Sequence, residues 1–163
     1  RSIGFLPEGS PLYPDMSVKD FLNYMAELRG LSGIDGQQQL QKIAAAAKIE
    51  EIWLQKIETL SKGYTRRVGF AQSLLTDPPI LLLDEPTDGL DPNQKDHIRS
   101  LITAMAPAKT IIISTHLLEE AETIAGRIIL MSAGNIKADG TLEQILRQTG
   151  AATLEEAFRN LTR

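Results

Sequence analysis

Cysteine is absent from the 163-residue sequence, which excludes both a disulfide framework and catalysis by a thiolate. Aromatic residues make up only 5% of the chain, and no apolar run approaches the roughly 20 residues of a membrane-spanning helix. Basic residues do not outnumber acidic ones, since 17 Lys and Arg stand against 21 Asp and Glu. Phosphate neutralisation needs concentrated positive charge, so this balance predicts no nucleic-acid partner.

The composition is that of one domain with a sizeable core, because 42% of the residues are hydrophobic and 23% are charged. The chain begins at Arg1 without an initiator Met, and residues 3–7 already have the character of a strand. We therefore expect it to be a piece of a larger protein.

The most informative stretch is an apolar run followed by two carboxylates. Ile80 to Leu83 has no polar alternation, which predicts a strand buried on both faces, as in a parallel sheet covered by helices. Pro86 cannot donate to a sheet ladder, so the strand should leave Asp84 and Glu85 at its carboxyl edge. Ligands bind at that edge in α/β sheets, and the two carboxylates could hold a metal ion and face a water. Capping of a following helix explains them equally well.

Apolar periodicity and turn residues divide the chain into four segments. We expect residues 1–13 to form a strand and a loop around Glu8, and residues 14–76 to form a helical subdomain. Residues 77–131 should alternate strands with helices, as in a parallel α/β core, and residues 132–163 should form a hairpin and helices.

Further elements are predicted within these segments. A helix is predicted from Ser17, with an apolar stripe of Val18, Phe21, Leu22, Met25 and Leu28, and others around Leu40 to Ala47 and over Thr65–Leu75, Pro92–Ala106 and Leu117–Ala125. Two C-terminal helices should begin with capping boxes, Thr141 with Gln144 and Thr153 with Glu156. Strands are predicted over Thr110–Ser114, Ile128–Met131 and Ile136–Ala138. His116 follows the strand Thr110–Ser114. Because parallel strands end on one edge of a sheet, we expect His116 near Asp84 and Glu85.

A second candidate site is the pentapeptide Leu60-Ser61-Lys62-Gly63-Tyr64. Ser61 is a good N-cap, Gly63 permits close backbone approach, and the amides at a helix N-terminus attract anions. Lys62 would add positive charge. By itself, however, the pentapeptide is better explained as an ordinary capped helix.

The combination and order of these blocks resemble the ATP-binding-cassette (ABC) ATPases over nearly the whole chain. Residues 60–64, 80–87, 89–92 and 114–116 resemble the signature motif, the Walker B strand, the D-loop and the switch histidine of that family, and residues 3–8 resemble the approach to its Q-loop. Details also resemble the gliding-motility and multidrug-export ATPases that drive ABC-2-type permeases. The resemblance implies an α/β fold with a P-loop NTPase-like parallel-sheet core, incomplete in this chain, and an inserted α-helical subdomain.

The resemblance also implies catalytic and metal-binding roles. Asp84 would hold the Mg²⁺ that accompanies ATP, and Glu85 would be the general base that polarises the attacking water. His116 would contact the γ-phosphate and help to fix that water. Glu8 could approach the Mg²⁺, but the family usually has Gln at this position, so its charge would alter coupling to the membrane partner.

Nucleotide contacts are implied for the signature motif and the D-loop. Ser61 and Gly63 would cradle the γ-phosphate of a nucleotide bound mainly by a second ATPase subunit, and Asp91 would organise the dimer contact. Lys62 and Tyr64 replace a Gly and the Gln of the family's usual Leu-Ser-Gly-Gly-Gln, so we expect the site to work with altered fine tuning.

The phosphate-binding loop Gly-x-x-x-x-Gly-Lys-[Ser/Thr] does not occur in this sequence. That loop supplies the backbone nest, the Lys and the hydroxyl that hold a triphosphate. We therefore predict that this chain alone binds ATP weakly, if at all, and does not turn it over. The segment that carries the loop also supplies strands of the core sheet, so we expect exposed edges or apolar surface prone to association.

The function predicted for the parent is ATP binding and hydrolysis that power transport through a membrane permease. The subunit would work as a dimer in the cytoplasm, peripheral to the inner face of the cell membrane. One alternative is an ABC ATPase of chromosome maintenance, which would need a long coiled coil between Glu8 and Leu60. Another is a non-catalytic interaction or regulatory module, against which the presence of Glu85 and His116 argues.

Overall fold

The computed structural model describes residues 2–162, which form two compact units, residues 2–114 and residues 115–162. The division falls inside the segment 77–131 that the sequence pattern treats as one core. The four-segment organisation stays a prediction.

The first unit is built on a parallel three-stranded sheet in the order β1-β2-β3. Its strands are β1 (Ile3–Leu6), β2 (Ile80–Asp84) and β3 (Thr110–Ser114). Each strand is rich in Ile and Leu, as expected for a sheet that packs against helices. The predicted parallel α/β layer is therefore confirmed, and Asp84 and Ser114 are register partners at the carboxyl ends of β2 and β3.

Four helices and two short 3₁₀ turns complete the first unit. They are α1 (Val18–Leu28), α2 (Gly33–Ala46), the turns Glu50–Ile52 and Ile57–Thr59, α3 (Lys62–Ser73) and α4 (Pro92–Met105).

Helix α1 begins at the predicted cap. The Asp20 amide donates to Ser17 Oγ at 3.1 Å, and the Ser17 hydroxyl donates to the Asp20 carboxylate at 2.7 Å. Gly30 follows the helix with a φ of 75°, a left-handed conformation that glycine adopts without steric cost. The predicted apolar stripe is wrong at its end, because Leu28 is 63% exposed and the smaller Ala26 is buried instead.

The sheet is buried on one face rather than on both, which corrects the prediction from the apolar run. Leu81 and Leu83 are 0% and 2% exposed. On the opposite face, Ile3, Phe5 and Ile112 are 52%, 50% and 56% exposed. The sequence run shows that a strand is apolar on both faces, but it does not show what covers each face.

Two glycines allow α3 to lie close against β1. A Cβ atom at Gly4 would be 2.2 Å from the carbonyl oxygen of Ser73. A Cβ atom at Gly69 would be 2.7 Å from Ser10 Oγ and 3.1 Å from Leu6 Cδ1. Since real side chains do not tolerate such approaches, the helix and the strand depend on glycine at both positions.

The second unit consists of a hairpin and three helices. They are α5 (Leu118–Ile124), β4 (Ile128–Ser132), β5 (Asn135–Gly140), α6 (Leu142–Thr149) and α7 (Leu154–Thr162). Strands β4 and β5 are antiparallel, and Ala133 and Gly134 form their turn with φ values of 49° and 74°, as in the tight hairpin turns. The core contains Ile128, Leu130, Ala138, Ile145, Leu154 and Ala157.

The two C-terminal caps differ. Thr141 and Gln144 form the predicted capping box, with backbone-to-side-chain bonds of 2.9 and 3.3 Å. At α7, the Glu156 amide donates to Thr153 Oγ1 at 3.2 Å, but the Glu156 carboxylate accepts from the Ala152 amide at 2.8 Å. In the predicted capping box this carboxylate would accept from the Thr153 amide, but it accepts from the residue before it. Within residues 2–162, no helix has both the length and the hydropathy of a membrane span.

Candidate functional site

A carboxylate and a hydroxyl meet at the carboxyl ends of β2 and β3. Ser114 Oγ donates to Asp84 Oδ1 at 2.5 Å. This bond occupies one carboxylate oxygen and orients the half-buried Asp84 side chain. The N-cap of the next helix, α4, is Asp91, whose Oδ1 accepts from the Gln94 amide at 2.9 Å.

Glu85 lies in a strained turn directly after β2. Its φ is 48°, a left-handed conformation that costs a residue other than glycine about 1–2 kcal/mol. The Glu85 amide donates to the Ser114 carbonyl at 2.9 Å, and the Glu85 carbonyl accepts from the Asp88 amide at 3.0 Å. These backbone bonds hold the carboxylate-bearing residue at the end of the strand.

Arg66 is a further member of this region that sequence reasoning missed. It lies on α3 and is only 5% exposed. Its guanidinium donates to the carbonyls of Asp84 and Glu85, and to Pro7 and Ser10 in the loop that contains Glu8. The periodicity of α3 predicts a helix, but it does not indicate that backbone carbonyls from other segments lie within hydrogen-bonding distance of Arg66.

The N-terminus of α3 is capped as predicted. Ser61 Oγ accepts from the Tyr64 amide at 3.3 Å, so Lys62, Gly63 and Tyr64 form the first helical turn. Gly63 is buried, and a Cβ atom there would lie 2.5 Å from Gln94 Oε1. The next nearest atoms lie 3.5 Å away, and the end of the Gln94 side chain can rotate, so packing against α4 favours a small residue at this position without requiring glycine. Its role toward a phosphate stays a prediction.

Lys62 pairs with the turn that follows Glu85. Its Nζ lies 2.8 Å from Asp88 Oδ2, and the two side chains are 71% and 48% exposed. The hydrogen bond from Lys62 lowers the pKa of the Asp88 carboxyl. Since the aliphatic part of Lys62 also covers Gly89, the side chain joins the start of α3 to the loop before α4.

Tyr64 is tied to the 3₁₀ turn Glu50–Ile52. Its hydroxyl donates to the carboxylate of Glu51, and the Arg67 guanidinium lies 4.2 Å from the centre of its ring. The hydrogen bond to Glu51 is the main cause of a raised pKa of Tyr64. Tyr64 is therefore half-buried and held by neighbours within the helical segment.

Glu8 lies in an exposed turn after β1. The Ser10 amide donates to the Pro7 carbonyl at 3.3 Å, and Gly9 has a φ of 73°. Arg66 holds both ends of this turn through Pro7 and Ser10, which places the Glu8 backbone in the same hydrogen-bonded group as the carbonyls of Asp84 and Glu85.

His116 belongs to the second unit, in the bend between β3 and α5, and is exposed. The Leu117 amide donates to Thr115 Oγ1 at 3.1 Å and helps to define this bend. Its approach to Asp84 and Glu85 stays a prediction.

Asp84 is suited to a magnesium ion that takes its other ligands from water and phosphate. Over residues 2–162, no group of three or more His, Cys, Asp or Glu side chains is placed to hold a metal ion. Mg²⁺ commonly keeps several waters and is bound through one or two carboxylates together with nucleotide phosphates. Asp84, with one oxygen committed to Ser114, can supply such a carboxylate.

Comparison with known proteins places this site in a family. A family model described as ABC transporter matches residues 1–88. The chain belongs to the ABC transporter family. The motif resemblance is thereby confirmed at the family level.

Relatives of this ABC transporter chain include members of the A family. The cholesterol transporter ABCA5 of Homo sapiens is 32% identical over 152 residues, which are 92% of this chain and 9% of that protein. ABC transporter A family member 1 of Dictyostelium discoideum is 30% identical over 150 residues, which are 92% of this chain and 17% of that protein. The chain therefore spans a small part of the length of these relatives.

Solved structures confirm the ABC ATPase fold. The ATP-binding subunit of an ABC transporter superposes with a TM-score of 0.89 and 29% identity, covering 99% of this chain and 69% of that one. A dimeric, post-hydrolysis structure of an ATP-binding cassette bound to ADP and Pi gives a TM-score of 0.78 and 25% identity, covering 86% of this chain and 62% of that one.

Proposed function

We propose that this chain is part of the ATP-binding and ATP-hydrolysing subunit of an ABC transporter, and that hydrolysis powers transport through a membrane permease. The observation that carries the proposal is the placement of Asp84 and Glu85 at the carboxyl edge of the parallel sheet, with Ser114 orienting the first and the turn holding the second. The subunit would work in the cytoplasm, at the inner face of the membrane, as a dimer with a second ATPase subunit. The dimeric relative bound to ADP and Pi supports this arrangement.

The carboxylates and His116 divide the chemistry between them. Glu85 would accept a proton from the attacking water, and His116 would help to orient that water toward the γ-phosphate. Asp84 would hold Mg²⁺, and the Glu8 carboxylate could also approach the ion. When bound with ATP, Mg²⁺ supplies neutralisation of the charge on the phosphoryl group.

The start of α3 would meet the γ-phosphate of a nucleotide held mainly by the partner subunit. Ser61 and Lys62 are exposed there, so the helix N-terminus and a positive charge are accessible to an anion. Gly63 and Tyr64 would complete this contact. Asp91 would stabilise the dimer contact beside it, from its position at the N-cap of α4.

The 163-residue chain on its own would bind ATP weakly and would not turn it over. Its sequence lacks the loop that supplies most of the contacts to a triphosphate. A saturable, Mg²⁺-dependent ATPase activity of the isolated chain that disappears in Glu85→Gln would refute this part of the proposal.

The catalytic part is tested in the protein expressed from the complete gene. We expect Glu85→Gln to lower kcat for ATP by about 100-fold or more, because general-base catalysis contributes about 10²–10⁴-fold, while ATP binding persists. Glu143→Gln is the matched control, since Glu143 is an exposed partner of Arg147 on α6. Wild-type turnover in Glu85→Gln would contradict the assignment.

A further inference from the structure

Arg66 is a buried guanidinium whose hydrogen-bonding capacity is fully used. Nη1 donates to the Pro7 carbonyl at 2.8 Å and to Ser10 Oγ at 2.9 Å. Nε donates to the Glu85 carbonyl at 3.1 Å, and Nη2 donates to the same carbonyl at 2.6 Å and to the Asp84 carbonyl. A guanidinium has five N–H donors, so each one has an acceptor.

This arrangement is specific to arginine. The five bonds radiate from one rigid, planar group to three backbone carbonyls and one hydroxyl. Lysine has three donors on a single nitrogen and cannot span the two sides of such a group. A charge that is 5% exposed also needs these acceptors, because an unpaired buried charge is strongly unfavourable.

On one side, the bonds end on a strained backbone. Glu85 has a φ of 48°, and its carbonyl accepts from both Arg66 and the Asp88 amide. A left-handed conformation persists only where neighbouring groups impose it. Without the guanidinium, the Asp84 carbonyl loses the Arg66 donor and the Glu85 carbonyl is left with the Asp88 amide, so the direction of the Glu85 side chain is free to change.

On the other side, the bonds end on the turn that carries Glu8. Pro7 and Ser10 flank Glu8, and both are held by the same Nη1 atom. A displacement of this turn therefore changes the acceptors available to Arg66. Burial lowers the pKa of Arg66, and the carboxylates of Asp88, Asp84, Glu85 and Glu8 act in the opposite direction, which indicates that its charge interacts with the acidic residues on both sides.

We propose that Arg66 is a positioning residue that fixes the backbone of Asp84 and Glu85 and couples it to the turn around Glu8. Its bonds to both segments make the orientation of the Glu85 carboxylate dependent on the conformation of the Glu8 turn. The catalytic consequence rests on the proposed function, whereas the structural coupling can be measured without ATP.

The first measurement is amide hydrogen exchange in the protein expressed from the complete gene. In Arg66→Gln and Arg66→Lys, we expect the Asp88 amide, which donates to the Glu85 carbonyl, to exchange at least about tenfold faster than in wild type. The reason is that the turn loses the charge-assisted hydrogen bonds from Arg66. Arg29→Gln is the matched control, because Arg29 Nη1 donates to the Gln72 carbonyl at 2.8 Å elsewhere on α3. Asp88 exchange that is unchanged in the Arg66 variants would overturn the proposal. Exchange that is accelerated as much in Arg29→Gln as in the Arg66 variants would also overturn it, since it would reflect general destabilisation.

The second measurement separates binding from turnover by steady-state ATPase kinetics. We expect both Arg66 variants to lower kcat at least about tenfold and to leave KM for ATP within about twofold, because the guanidinium orients the base without touching the nucleotide. Because lysine cannot make the same set of bonds, we expect kcat of Arg66→Lys to be as low as that of Arg66→Gln. A change in KM alone, or full activity in Arg66→Lys, would refute the positioning role. If the wild-type protein does not hydrolyse ATP, the proposed function fails, while Asp88 exchange still decides the structural coupling.

Ser10→Ala tests the coupling where an Arg66 variant does not fold. It removes one acceptor on the Glu8 side and leaves the guanidinium in place. We expect its melting temperature to stay near that of wild type, and Asp88 exchange to accelerate by about threefold. Unchanged Asp88 exchange in Ser10→Ala would show that the two segments are not coupled through Arg66.

Discussion

Replacing Gly4 with alanine is expected to weaken the attachment of α3 to β1. A Cβ atom there would lie 2.2 Å from the Ser73 carbonyl oxygen, 2.6 Å from Leu81 Cδ2 and 2.8 Å from Pro78 Cγ. Favourable contacts between carbon atoms are about 3.5–4 Å long. The nearest atom belongs to the backbone and cannot rotate away, so the end of α3 must shift against the sheet.

The magnitude follows from these distances. Overpacking of a core costs about 1–3 kcal/mol and occasionally more, and a clash with backbone should fall at the upper end, at about 3 kcal/mol. In a protein of this size, each 1 kcal/mol lowers the melting temperature by about 2–4 °C. We therefore expect a decrease of about 6–12 °C, measured by circular dichroism and checked by urea unfolding.

Gly126→Ala provides the control for this substitution. A Cβ atom at Gly126 would meet no heavy atom within 4 Å, so its free energy of unfolding should change by less than about 0.5 kcal/mol. If Gly4→Ala melts within about 2 °C of wild type, β1 and α3 do not approach each other as described, and the reasoning is refuted.

Two further predictions concern the site. Ser114→Ala removes the donor to Asp84 and should lower the free energy of unfolding by about 0.5–1.5 kcal/mol in urea titrations; an unchanged value would show that this bond contributes nothing. Lys62 lowers the pKa of Asp88, so the pair stabilises the fold above the unfolded pKa of about 3.9, and this stabilisation is lost as pH falls through the lower folded pKa. Because both side chains are largely exposed, this loss is at most about 1 kcal/mol. The free energy of unfolding, measured in urea, should therefore differ less between about pH 7 and about pH 2 in Asp88→Asn than in wild type. A difference as large as that of wild type would contradict the prediction.

Local pattern was sufficient to predict most elements of the fold. The uninterrupted apolar run predicts β2 at Ile80 to Leu83, and the observed strand is one residue longer and ends at Asp84. Proline at the first helical position predicts the start of α4, which the structure places at Pro92. These features depend on neighbours in sequence, such as caps, turn residues and apolar spacing, so they can be inferred from the chain alone.

The details that sequence reasoning missed depend on distant neighbours. Arg66 is buried because carbonyls from two other segments converge on it, and no local pattern encodes the direction of a carbonyl. The Gln94 side chain of α4 packs beside Gly63, a contact that no local pattern encodes. The exposure of Ile112 depends on what covers the sheet rather than on the residue itself.

Asp84 shares a face of the sheet with Phe5, Leu82 and Ile112, because it lies at an even spacing from Leu82, whose register partners are Phe5 and Ile112. Phe5 and Ile112 are about half exposed, so this face of the sheet is open to solvent. The attraction between opposite charges is inversely proportional to the local dielectric constant. Any protein surface that covers these apolar side chains would strengthen the interaction of the Asp84 carboxylate with nearby charges and would also remove water from it, so assembly on this face would change the electrostatic environment of Asp84.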